Sequence, residues 1–166
     1  IADKMRMLAD HGRIDKYEHK FEGHNYRLDT LHAAIIRVML NHLDEWVIER
    51  RRKAELYNEL LQGLDIEMPE ERAYNKHSYY MYVIKTQKRN ELMEHLKNKG
   101  VSTGIHYPIP LHMQPAYKYI GHKEGDFPVS ENCAKSILSL PLYPELTDEE
   151  MYYVVENIKS FYAAKL

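Results

Sequence analysis

Between Asp29 and Leu61 the chain runs without a proline or a glycine, and apolar residues recur at Leu31, Ala34, Ile35, Val38, Leu43, Trp46, Val47, Ala54, Tyr57 and Leu61. That spacing lays one apolar stripe along a helix. The pattern predicts a long helix, with room for a kink, that is too long for one small core to cover. Helices of this kind bridge two lobes. The reading divides the chain into residues 1–43, part of one lobe together with the start of the bridging helix, and residues 44–166, a small C-terminal domain. The chain also opens at Ile1, without methionine and already inside an amphipathic pattern, which is expected of a piece of a longer protein.

On the N-terminal side, Met5, Leu8 and Ala9 share a helical face that ends near His11-Gly12, where glycine accepts a left-handed backbone. Residues Arg13 to Arg27 are polar and aromatic without period and read as a functional loop. On the C-terminal side, Ile66 and Met68, Ser78 to Thr86, Gly100 to Pro108 and Ile137 to Leu142 read as strands. Helices are expected over Arg89 to Lys99, Pro128 to Ser136 and Thr147 to Tyr162, the last opened by a capping box of Thr147 and Glu150. The fold class is α+β, with three or four strands and helices on one side.

The 23 Lys and Arg against 25 Asp and Glu give a net charge of -2, without the asymmetry that draws nucleic acid or anionic lipid. The one basic run, Arg50 to Lys53, is flanked by Glu49 and Glu55 and reads as a solvated helix face. A single cysteine, Cys133, excludes an internal disulfide framework, suits a reducing cytoplasm and is expected to be a buried thiol. No apolar run reaches the roughly 18 residues that span a bilayer. Neither nucleic acid nor membrane is an expected partner.

Two stretches could carry chemistry. In "EGHNYRLDTLHAAI", Asn25 and Arg27 precede the long helix, where unsatisfied backbone N–H groups and the positive end of the dipole favour an anion such as phosphate. The alternative is that Asn25 shapes the turn and Arg27 pairs with a nearby carboxylate. In "TGIHYPIPLHMQPAYK", His106, Tyr107 and His112 leave a strand end on a proline-stiffened loop suited to a polar ring. His-x5-His with no further ligand spacing does not define a metal site. P-loop, nucleophile-elbow, dinucleotide and zinc-protease signatures are missing. The 14 tyrosines, Tyr79, Tyr80, Tyr82, Tyr152 and Tyr153 among them, read as core and interface residues.

Taken in order, "HGR", "GHNYRLDTLHAAI", "ERRRKAELYNELL", "GVSTGIHYPIPLHMQPAY" and "GDFPVSENCAKSILSLPLYPELTDEE" closely resemble the C-terminal part of the DegT/StrS-type sugar aminotransferases. The resemblance implies the small C-terminal domain of the PLP-transferase fold, an α/β superfamily, and an enzyme that moves an amino group from glutamate to a keto nucleotide-sugar with pyridoxal 5'-phosphate. It implies a homodimer in which Asn25 reaches the cofactor phosphate of the neighbouring subunit, with Arg27 close to that shared site. It also implies that the His106 to His112 loop lines the nucleotide-sugar pocket, with His106 and Tyr107 as the foremost contacts.

Family members carry, in a preceding domain, the Schiff-base lysine, an acidic partner for the pyridinium nitrogen and an aromatic residue stacked on the ring. None of those motifs is in this sequence. Because the chemistry needs that lysine and that carboxylate, the chain alone holds no catalytic residue and is expected to be inactive. Two rival readings stay open: a non-catalytic α+β binding or oligomerisation module, and a dehydratase branch in which histidine replaces the lysine.

Overall fold

The computed structural model describes residues 1–163. The chain forms two compact units, Ile1–Leu43 and Asp44–Leu166.

The first unit holds α1 (Ala2–Ala9), a loop, α2 (Thr30–Met39) and a 3-10 turn over Leu40–His42. Residues after α1 close its C-terminal end. Gly12 donates to the Met7 carbonyl at 2.7 Å, His24 to that of Leu8 at 2.8 Å and Tyr26 to that of Ala9 at 2.8 Å. Carbonyls at a helix end lack intrahelical partners, so these bonds also anchor the loop. Gly12 is required there: its φ is 70°, and a side chain would drive its Cβ into the Phe21 carbonyl. α2 begins on Asp29, whose carboxylate accepts from the His32 backbone N–H at 2.9 Å.

In the second unit, α3 (Leu43–Leu60), α4 (Arg89–Asn98) and α6 (Asp148–Ala163) share one core with the antiparallel pair β1 (Tyr82–Lys85) and β2 (Ile137–Leu140). Ala54, Tyr57 and Leu61 meet Leu92, Leu96, Met151 and Ile158 there, all fully buried. Tyr82 pairs with Leu140 and Ile84 with Leu138, which puts these four in that core. Val83, Ser139, Lys85 and Ile137 then belong to the opposite face, because side chains alternate along a strand. The capping box forms as read: Thr147 N–H to Glu150 at 2.9 Å and Glu150 N–H to the Thr147 hydroxyl at 3.2 Å.

Several expectations need correction. The long helix is helical from Thr30 to Leu60 but passes through the 3-10 turn at Leu40–His42. Of the four expected strands, two remain as strands; the outer two shrink to single bridges, Glu67 to Lys85 and Gly104 to Ser139. Pro69, Pro108 and Pro110 follow closely and cannot extend a ladder, having no N–H to donate. Tyr79 and Tyr82 are core residues, whereas Tyr80, Tyr152 and Tyr153 are exposed.

The basic run is solvated only in part: Arg52 is exposed and pairs with Glu49, but the run also reaches remote partners. Arg50 donates to the Tyr80 and Leu142 carbonyls, Arg51 grips Glu71 and the His77 carbonyl, and Arg52 spans to Asp148 on α6. Lys53, 2% exposed, donates to the Pro144 carbonyl. These side chains tie three separate segments to α3; the exposed Arg52–Asp148 pair, screened by solvent, contributes at most about 1 kcal/mol of that.

The apolar stripe splits in the same way. Its C-terminal half is buried, whereas Leu31 is 70% exposed, Ile35 51% and Val38 61%. Among the described residues no helix is long and apolar enough to cross a membrane.

Candidate functional site

Each unit carries one candidate site. In the first, the backbone bonds of His24 and Tyr26 and the antiparallel bridge of Asn25 with Asp10 hold residues 24–26 extended against the end of α1. Alternation then separates the side chains. His24 and Tyr26 stack with ring centroids 4.9 Å apart, while Arg27 Nε donates to Asn25 Oδ1 at 3.2 Å. The acceptor of the amide is thereby used, and Nδ2 with its two protons is the end left for a ligand.

The local charge favours an anion. Asp10 is gripped by Arg13 through two contacts of 2.8 and 2.7 Å and lies 3.7 Å from Arg27 Nε. The hydrogen bond from Arg13 holds its carboxyl below the usual range. One carboxylate against two guanidinium groups leaves a positive surplus beside Asn25. The expected contribution of the helix N-terminus is corrected: Asp29 already occupies that end as cap, so attraction for an anion rests on the two side chains.

The second site lies on the sheet face opposite the core. His106, Tyr107, Pro108, Ile109, Pro110 and Leu111 from the loop and Ser130, Cys133, Ala134 and Ile137 from α5 (Pro128–Ser136) and β2 line a cavity of about 460 Å³. His106 is held by Ser139, whose hydroxyl lies 2.9 Å from Nδ1. Cys133, expected to be buried, is partly exposed on the cavity wall. His106 and Tyr107 are brought together here.

His112 is placed differently. It is nearly buried, with Nε2 3.0 Å from Glu131 and its ring 4.7 Å from Phe127, and it is not among the cavity-lining residues. Glu131 also accepts from the backbone N–H groups of Gly125 at 2.9 Å and Phe127 at 3.2 Å. Burial pushes the Glu131 carboxyl up, but the bonds from Gly125, Phe127 and His112 together outweigh it and hold the carboxyl below its usual value. An ionised carboxylate only accepts, so His112 Nε2 carries the proton. Sequence reasoning missed Glu131, whose signal was a carboxylate in the first turn of a helix opened by proline.

A depressed carboxylate strengthens the fold above its unfolded value, about 4.3 for Glu, and that strength is lost as pH falls through the lowered folded value. The Gly125 and Phe127 amides should therefore stay protected from hydrogen exchange at neutral pH and lose protection in acid. Glu131→Gln should speed their exchange about tenfold or more at neutral pH. Unchanged protection in that variant would contradict the clasp.

Among the described residues no group of three or more His, Cys, Asp or Glu stands close enough to hold a metal ion. For pyridoxal 5'-phosphate, the donors present fit one end of the molecule. Asn25 Nδ2 and the Arg27 guanidinium suit its phosphate.

The fold of this chain is shared with the C-terminal part of solved aminotransferases, among them a DegT DnrJ EryC1 StrS aminotransferase from Brucella abortus, which superposes with a TM-score of 0.89 at 34% identity, covering 97% of this chain and 43% of that one. The crystal structure of DesV from S. venezuelae superposes with a TM-score of 0.92 at 35% identity, covering 96% of this chain and 43% of that one. The sequence pattern of the DegT/DnrJ/EryC1/StrS aminotransferase family matches residues 1–159, and the chain belongs to that family. A pleiotropic regulatory protein of Geobacillus stearothermophilus is 43% identical over 98% of this chain and 44% of its own length. The dTDP-3-amino-3,4,6-trideoxy-alpha-D-glucose transaminase of Streptomyces venezuelae is 35% identical over 97% of this chain and 43% of its own length. The chain thus spans less than half the length of the relatives it matches.

Proposed function

We propose that this chain is the C-terminal part of a homodimeric, cytoplasmic aminotransferase that uses pyridoxal 5'-phosphate to move an amino group from glutamate to a keto nucleotide-sugar, in deoxysugar or cell-surface polysaccharide synthesis. The observation that carries the reading is the Asn25 amide, turned by Arg27 so that its donors face outward in a positive surround. Family membership supplies the reaction class, and the dTDP-sugar transaminase supplies the substrate class.

On this reading residues 1–43 complete the larger cofactor domain, and the exposed Leu31, Ile35 and Val38 pack against that domain or the second subunit. Residues 44–166 form the small domain. When bound, the cofactor supplies the electron sink for amino-group exchange. Asn25 and Arg27 hold its phosphate in the neighbouring subunit. His106 and Tyr107 contact the nucleotide-sugar, and His112, through Glu131, keeps their loop in place.

The test is turnover by the intact protein supplied with the cofactor, glutamate and a set of keto dTDP- and UDP-sugars, read as 2-oxoglutarate formed. Amino transfer to one of them is expected. Loss of water from the sugar without amino transfer would favour the dehydratase branch. Binding without any turnover would favour a non-catalytic module.

A further inference from the structure

We propose that Ser139 and Gly104 are positioning residues that set the orientation of His106, with the Ser139 hydroxyl donating to Nδ1 so that the ring proton sits on Nε2, the nitrogen offered to an acceptor oxygen of the ligand. The inference rests on the reading of this cavity as the nucleotide-sugar site. Three observations carry it.

Ser139 is a polar residue only 6% exposed in the middle of a strand, and its hydroxyl lies 2.9 Å from Nδ1 of an otherwise exposed histidine. Register puts it on the sheet face away from the core, the face that Ile137 shares with the cavity wall. A buried hydroxyl without a partner is costly, and the partner this one has is the His106 ring.

Ser139 and Gly104 exchange both backbone bonds, at 2.8 and 3.1 Å. This locks the start of the His106 loop to the strand that carries the hydroxyl. Distance between donor strand and ring is therefore set by backbone pairing rather than by side-chain flexibility.

Finally, Gly104 clears the space in which the ring lies. A Cβ built there would stand 2.8 Å from His106 Cε1, closer than such contacts occur, so any side chain at this position displaces the ring. Hydroxyl, bridge and clearance specify one ring position.

The test reads the ring itself, by NMR on the full chain. A cross-peak between His106 Hε1 and the Gly104 α-protons, with ring-nitrogen shifts of an Nε2–H imidazole, is expected in the natural sequence. Ser139→Ala should weaken that cross-peak and move the Nδ1 shift, with the backbone amide spectrum otherwise kept. Ser139→Thr, which restores the hydroxyl, should recover both, and Gly104→Ala should abolish the cross-peak by a different route.

With the intact protein and dTDP-glucose as probe, Ser139→Ala should raise Kd about three- to tenfold, the range of one neutral hydrogen bond. Ring shifts and cross-peak unchanged in Ser139→Ala would overturn the proposal, as would a proton found on Nδ1 in the natural sequence. Failure of dTDP-glucose and its UDP counterpart to bind the natural protein would instead overturn the reading of the cavity, and the NMR result would still decide the role of Ser139.

Discussion

Replacing Asn25 by alanine should lower the affinity of the intact protein for pyridoxal 5'-phosphate by about ten- to a hundredfold, the loss of a hydrogen bond to a charged group worth about 1.5–3 kcal/mol. The substitution spares the scaffold. The bonds that hold this segment to α1 come from the backbone of His24 and Tyr26, and the bridge to Asp10 is also backbone, so unit 1 keeps its shape. Cofactor titration measures the effect. Asn25→Asp, of the same size but bringing a negative charge to a phosphate, should weaken binding further than alanine does. If both variants bind as the natural protein does, Asn25 only shapes the turn.

Ile158→Ala should destabilise the second unit by about 2–5 kcal/mol, because a fully buried side chain in a shared core leaves both lost transfer energy and a cavity. Ile158 lies on α6, amid a core to which α3, α4 and both strands contribute, so little of that cavity can close by local shifts. Denaturant unfolding followed by circular dichroism reads the change. Val129→Ala, on a side chain 78% exposed, serves as control and should stay within about 0.5 kcal/mol. Equal midpoints for the two variants would mean that the core is not organised as described.

What the sequence made legible follows from where physical signals are local. Helix periods and caps depend on residues three or four apart, so Leu92 with Leu96, Thr147 with Glu150, and the Met151 to Phe161 stripe were readable. Strand length was not, since a ladder depends on a distant partner: Glu67 and Gly104 each find only one bridging residue. The Arg50 to Lys53 run looked solvated because its acceptors, Tyr80, Leu142, Pro144 and Asp148, are remote in the chain.

At the first candidate site, the structure revises the reason for which Asn25 and Arg27 were singled out. The helix end is taken by Asp29, and what joins Asn25 to Arg27 is their i, i+2 spacing on an extended segment. At the second, aromatic and proline composition pointed to the loop; Glu131 left a local signal in the first turn of its helix that was passed over, whereas the pairing of Ser139 with His106 and the inward turn of His112 are long-range facts that no spacing encodes.

The central claim, that Asn25 serves the cofactor site of a neighbouring subunit, is tested most directly by subunit complementation in the intact protein. The Asn25→Ala enzyme is mixed with a variant lacking the cofactor lysine, under conditions in which subunits exchange, and amino transfer is measured. A hybrid dimer should combine the lysine of one chain with the asparagine of the other into one intact site and regain activity well above either variant alone. Activity that stays at the level of the separate variants, with exchange demonstrated, would contradict the shared site and confine Asn25 to its own subunit.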